Sequence, residues 1–182
     1  DRLNIHFARM GEPTWNPAVI ETAQWFHRAL TYFDYRVHPV VSTMMPKNNK
    51  NLAWFLRSWL DVKHWPYLGE AGLQLSINST DDNQRNRMFR GSALSLENIG
   101  KVMQNIIGWR KLKGRKIALN FAIADDTIIN ADKLLGYFSP EWYMCKLTPM
   151  HVTRACERNN ITTTDGYSAY APYQKHEKAL KA

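Results

Sequence analysis

Leu3-Asn4-Ile5-His6-Phe7-Ala8, followed by Gly11-Glu12-Pro13 and then Asn16-Pro17, is the stretch that sets the architecture. The apolar run suits a strand, and the Gly-Glu-Pro segment suits a turn. Asn16-Pro17 has the form of a helix cap followed by proline at the first helical position, opening a helix that runs to about Tyr32. The same order then repeats. Val37 to Thr43 is β-branched and precedes Leu52, Phe55, Leu56, Trp59 and Leu60 at helical spacing. Leu73 to Asn78 alternates as a strand, and Ser95 caps a helix with Leu96, Ile99, Val102, Met103, Ile106 and Ile107 on one side. Ile117 to Ile123 and Trp142 to Leu147 supply two more strands. Helices are expected around Ala131 to Tyr137 and from Tyr167 to Leu180.

Five strands alternating with five helices predict an α/β fold with parallel strands and right-handed crossovers. Pattern alone leaves an open sheet and a barrel both available. In either, ligands gather at the carboxyl ends of the strands, so the residues just after each strand are the informative ones. The 182 residues, 45% of them hydrophobic, are read as a single domain. Asp1-Arg2 leads straight into an apolar run, which reads as a chain cut in mid-domain.

Lys and Arg outnumber Asp and Glu 24 to 16, giving a net charge of +8 and a pI near 9.6. That balance favours a polyanionic partner such as RNA, although dispersed charge fits a solvated face equally well. No run approaches the roughly 18 apolar residues of a membrane helix, and no signal peptide opens the chain, so no membrane partner and a cytoplasmic location are expected. Cys145 and Cys156 show no metal-ligand spacing, and six scattered histidines form no HExxH pair, so no metal ligand is assigned within the chain. Trp25, Trp54, Trp59 and Trp109 fall at helical-face positions and are expected in the core. Asp125-Asp126 reads as a loop.

Four segments in order carry a family resemblance. Phe7 to Asn16 resembles the glycine-glutamate-proline segment of radical S-adenosylmethionine (SAM) enzymes, most closely the branch that methylates adenine in ribosomal and transfer RNA. Val41-Ser42-Thr43 resembles that branch's valine-serine-threonine strand end. Leu75-Ser76-Ile77-Asn78 with Asp81, Asp82 and Arg85 is similar to its serine-leucine-histidine strand and asparagine-aspartate-x-x-arginine turn. Leu147-Thr148-Pro149-Met150-His151 is similar to its final strand. Asn78 stands where the family has histidine, His151 where it has asparagine, and Met44-Met45 where it has serine-glycine.

The resemblance implies a partial parallel (β/α) TIM-like barrel comprising residues 1–182 and truncated at both ends. It implies that Gly11 and Glu12 bind the SAM amino group and that Ser42 is a polar contact to the cofactor. Ser76 and Asn78 would face the ribose or carboxylate, with His151 near the adenine. It further implies a [4Fe-4S] cluster whose CxxxCxxC ligands are not in this chain, and an electron donor such as flavodoxin or ferredoxin. A methyl-carrying cysteine would lie beyond the last helix, and the chain alone would be inactive. If the substrate is RNA, Arg85, Arg87 and Arg90 would lie at the rim and contact phosphate. The competing expectation is a non-catalytic basic α/β module that lacks a cluster and binds RNA.

Overall fold

The structure, a computed structural model, describes residues 2–8, 10–108, 111–150, 153–163 and 171–181. Among them, five strands form one sheet: β1 (Arg2–Phe7), β2 (Arg36–Thr43), β3 (Gly72–Ser76), β4 (Ile117–Ile123) and β5 (Tyr143–Pro149). Every pairing is parallel and the spatial order is the sequence order, β1-β2-β3-β4-β5. The sheet is open. Parallel neighbours with right-handed crossovers and no reversal of order direct successive helices to the same face.

That face carries the core. In register, Val41 stands beside Leu73, Thr43 beside Leu75, Leu75 beside Leu119, and Phe121 beside Leu147. Against them lie α1 (Ala18–Thr31), α2 (Leu52–His64) and α4 (Leu96–Ile107), with α5 (Ala131–Leu135) and α7 (Ala171–Lys181) toward β5. Phe55, Leu56, Trp59 and Leu60 of α2 are wholly buried. Trp59 also donates its indole N–H to the Gly72 carbonyl at 3.0 Å and meets Phe7 edge-on. Each of these large apolar side chains contributes about 1.5–3 kcal/mol relative to remaining in water.

Local chemistry sets the helix starts. The Asn16 side chain accepts from the Ala18 N–H, Ser95 caps α4 through Asn98, and Asn130 caps α5 through Lys133. These capping side chains accept from backbone donors that a helix start leaves without partners.

Several expectations are corrected. Trp25 and Trp54 are more than half exposed, because they lie on the outward faces of α1 and α2; Trp59 alone of the four is shown in the core, and Trp109 lies outside the described residues. A short helix, α3 (Asp82–Met88), stands where a turn was read, and another, α6 (Arg154–Arg158), lies in a stretch to which no element was assigned. The last strand runs through Pro149, which sits on the β5 edge and so needs no ladder N–H on its open side. No helix among the described residues is long and apolar enough to cross a membrane.

Candidate functional site: a polar sheet face and its carboxyl edge

A parallel sheet normally reads as continuous apolar strands, because helices cover both faces. Here β4 alternates: Ile117, Leu119, Phe121 and Ile123 are buried, while Ala118, Asn120 and Ala122 are half-buried on the opposite face. Register extends that opposite face across the sheet. Ser42, Gln74, Ala118 and Met144 make one row, and Ser76, Asn120 and Lys146 the next. Ala122 and Thr148 complete it toward the carboxyl edge. A largely polar surface therefore backs the apolar core.

Its side chains are partly tied together. Thr148 donates its hydroxyl to the Asn120 amide oxygen at 2.7 Å, and Lys146 reaches the Gln74 amide oxygen at 3.4 Å. Asn78, in the left-handed region at φ 59°, accepts the Ala122 N–H at 3.0 Å through its side-chain oxygen. Asn and Asp tolerate that backbone region better than other side-chain-bearing residues. The amide thus couples the end of β3 to β4, and Ser42 and Ser76 remain half-buried on the polar face.

Glu12 closes the edge beside β1. One carboxylate oxygen accepts from the Thr14 N–H at 3.2 Å and its hydroxyl at 2.7 Å; the other accepts from the Met44 N–H at 3.0 Å. The turn after β1 is thereby fastened to the end of β2, and Asn49 adds a bond to the Thr14 carbonyl at 2.9 Å. Gly11 precedes it at φ 113°, a conformation that side-chain-bearing residues rarely adopt, with open space where a Cβ would stand. The carboxylate is thus already committed to three protein donors. Glu12→Ala should lower stability by about 1–2 kcal/mol, because the Met44 N–H loses its partner. Urea denaturation checks this, and an unchanged midpoint would show that the turn holds without the carboxylate.

Of the three rim arginines, Arg85 is corrected. It is 2% exposed, and its guanidinium donates to the carbonyls of Ser76 (3.0 Å), Ile77 and Leu94 (3.2 Å) while resting over the Phe89 ring. Desolvation lowers its pKa to about 10, with Asp82 opposing the shift. Arg85 ties α3 to the end of β3 and offers no surface to a polyanion. Arg87 and Arg90 are exposed.

The described residues thus place Gly11, Glu12, Ser42, Ser76 and Asn78 at or near the carboxyl ends of β1, β2 and β3; His151 lies outside the described residues. Gln74, Asn120, Lys146 and Thr148 were not singled out from sequence. The available signal was the alternation of polar residues in strands read as parallel. No three His, Cys, Asp or Glu side chains among the described residues stand together as a metal site. Cys145 lies on the helix side of β5, where burial pushes its thiol pKa up, and Cys156 is in α6. Compared with protein-family models, with curated proteins and with solved structures, the chain matches none.

Proposed function

We propose that this chain is the SAM-binding part of a radical SAM enzyme, of the kind that methylates adenine in RNA, built as part of a (β/α) barrel. The observation that carries the reading is the sequentially ordered parallel sheet whose face away from the apolar core is polar and whose carboxyl edge gathers Gly11, Glu12, Ser42, Ser76 and Asn78. Continued curvature of such a sheet would turn that polar face into a barrel lumen opening at the edge where ligands bind.

The residues present suit the polar parts of SAM. Ser42, Ser76 and Asn120 offer hydroxyl and amide groups to its ribose and amino-acid portions, while Glu12, through Met44 and Thr14, fixes the turn that borders them. When bound to a reduced cluster, SAM would supply the radical chemistry, and the protein would supply binding, orientation and exclusion of water. The described residues do not suit the cluster itself, since they hold no group of three ligands. In this reading the cluster ligands lie in sequence outside residues 1–182.

Anaerobic reconstitution of a longer form bearing a three-cysteine loop should give reductive cleavage of SAM to deoxyadenosine. A full cluster without cleavage would overturn the reading. In that form, Glu12→Ala should weaken SAM binding more than Asp125→Ala, because Asp125 is exposed after β4, three strands along the sheet from β1. Equal affinities by calorimetry would remove Glu12 from the site.

The net charge of +8 and the exposed Arg87 and Arg90 favour a second reading, a basic RNA-binding module without catalysis. Arg87 and Arg90 are then its exposed phosphate contacts, and Arg87/Arg90→Gln should flatten the log-log salt dependence of RNA affinity by roughly one unit per contact.

A further inference from the structure

At the opposite, amino-terminal end of the polar face the sequence places an unusual set of neighbours. Arg2 and Arg36 are register partners on adjacent parallel strands, so their side chains leave the same face of the sheet side by side. The next row holds Asn4 and His38, and continuing the β2–β3 register brings Glu70 alongside. Arg115 joins from the start of β4, donating to the Glu70 carbonyl at 3.5 Å. Like charges directly across adjacent strands repel, and nothing in the core requires two arginines there.

His38 adds an independent observation. Its ring is 3% exposed, and neither ring nitrogen has a hydrogen-bond partner. The half-exposed Glu70 carboxylate lies 3.7 Å from Nδ1, too far for a hydrogen bond. A buried ring donor left without a partner costs free energy that most proteins avoid. Burial holds the imidazole pKa down, Arg2, Arg115 and Arg36 push the same way, and Glu70 opposes them. The ring therefore lies one row from Arg2 and Arg36 on the same face, with the Glu70 carboxylate beside it and Arg115 bonded to the Glu70 carbonyl.

We propose that Arg2, Arg36 and Arg115, set around His38, form an oxyanion site that takes a phosphate group at the amino-terminal edge of the sheet. Guanidinium forks match phosphate oxygens two at a time, and a third oxygen supplies the acceptor that the His38 ring lacks. Glu70 holds the position in the absence of ligand and moves aside when phosphate enters. The site stands apart from the carboxyl edge and does not depend on SAM binding there. The phosphate comes from a small phosphate ester or from an RNA backbone, which share this chemistry.

Titration of the chain with inorganic phosphate at pH 6, followed through the His38 ring nitrogens by NMR, tests the site. The expected result is saturable movement of those resonances and a rise in the His38 pKa, because a bound anion favours the imidazolium. Arg36→Gln should weaken phosphate at least about tenfold, and Glu70→Gln should tighten it, since the competing carboxylate is gone. Both residues are exposed, so neither change threatens the fold. Displacement of phosphate by a short single-stranded RNA identifies the backbone as the source, whereas phosphate binding that RNA does not disturb identifies a small ester. Resonances unmoved by phosphate, or equal affinity in native chain and Arg36→Gln, overturn the proposal.

Discussion

Arg85→Met is expected to destabilise the chain by about 3 kcal/mol, because three backbone carbonyls lose a charged donor and each such bond contributes about 1.5–3 kcal/mol before the desolvation of the guanidinium is recovered. The substitution keeps bulk over Phe89 but removes the donors that serve the Ser76, Ile77 and Leu94 carbonyls. Those carbonyls lie where β3 ends and where the chain enters α4, and none gains a new partner from a thioether. Equilibrium denaturation in guanidinium chloride measures the loss. Arg87→Met, on an exposed position two residues on, is the control and should change stability by less than about 0.5 kcal/mol. Similar midpoints for the two variants would mean that the guanidinium is dispensable and that α3 is held by other contacts.

Gly114→Ala should cost about 3 kcal/mol, for a different reason. Gly114 and Gly69 press backbone against backbone at the amino-terminal end of the sheet. A Cβ on Gly114 would stand 2.5 Å from the Gly69 carbonyl oxygen and 2.8 Å from its Cα, at a φ of 70°. Left-handed strain contributes roughly 1–2 kcal/mol, and a clash with backbone, which cannot rotate away, contributes the rest. Lys63 makes the contact less able to yield. It is buried, donates to the carbonyls of Gly69 and Lys113 (2.8 Å to the latter), and has its pKa lowered to about 8, first by desolvation. Gly11→Ala provides the comparison, since its φ of 113° carries strain but nothing stands within 4 Å of the new Cβ. Thermal unfolding should therefore show a clearly larger fall for Gly114→Ala. Equal falls would mean that the two loops part easily.

The strand-helix alternation was legible because core-facing apolar residues recur at periods that differ between the two elements: Leu73 and Leu75 by two, Ile99, Met103 and Ile106 by three or four. Helix α3 was not. Asp82-Asn83-Gln84-Arg85-Asn86-Arg87-Met88 has no apolar stripe, and it is held instead by Asp81 capping the Gln84 N–H and by the inward turn of Arg85. A charged residue buried by its carbonyl partners looks, in sequence, like any solvated arginine, and so it was expected at the rim. Trp25 and Trp54 failed in the opposite direction, because helical spacing does not say which side of a helix turns to the sheet. At the carboxyl edge, positions after strands were predictable from strand ends alone. The use of the Glu12 carboxylate was not, since its partner Met44 is 32 residues away and donates through backbone, which leaves no mark on side-chain identity.

The strict order β1-β2-β3-β4-β5 also bears on how the chain is made. In a sheet whose order reverses, an early strand waits at an interior position until a later one arrives to cover its open side. Here each strand after β1, as it leaves the ribosome, meets a partner that has already been synthesised, and the growing edge is always the most recent strand. Assembly can then advance by accretion, one crossover at a time, with no loop closure longer than the β3–β4 crossover, which carries both α3 and α4. At any moment of synthesis only the newest strand presents unpaired backbone on the growing side, and the next segment to emerge is the one that covers it.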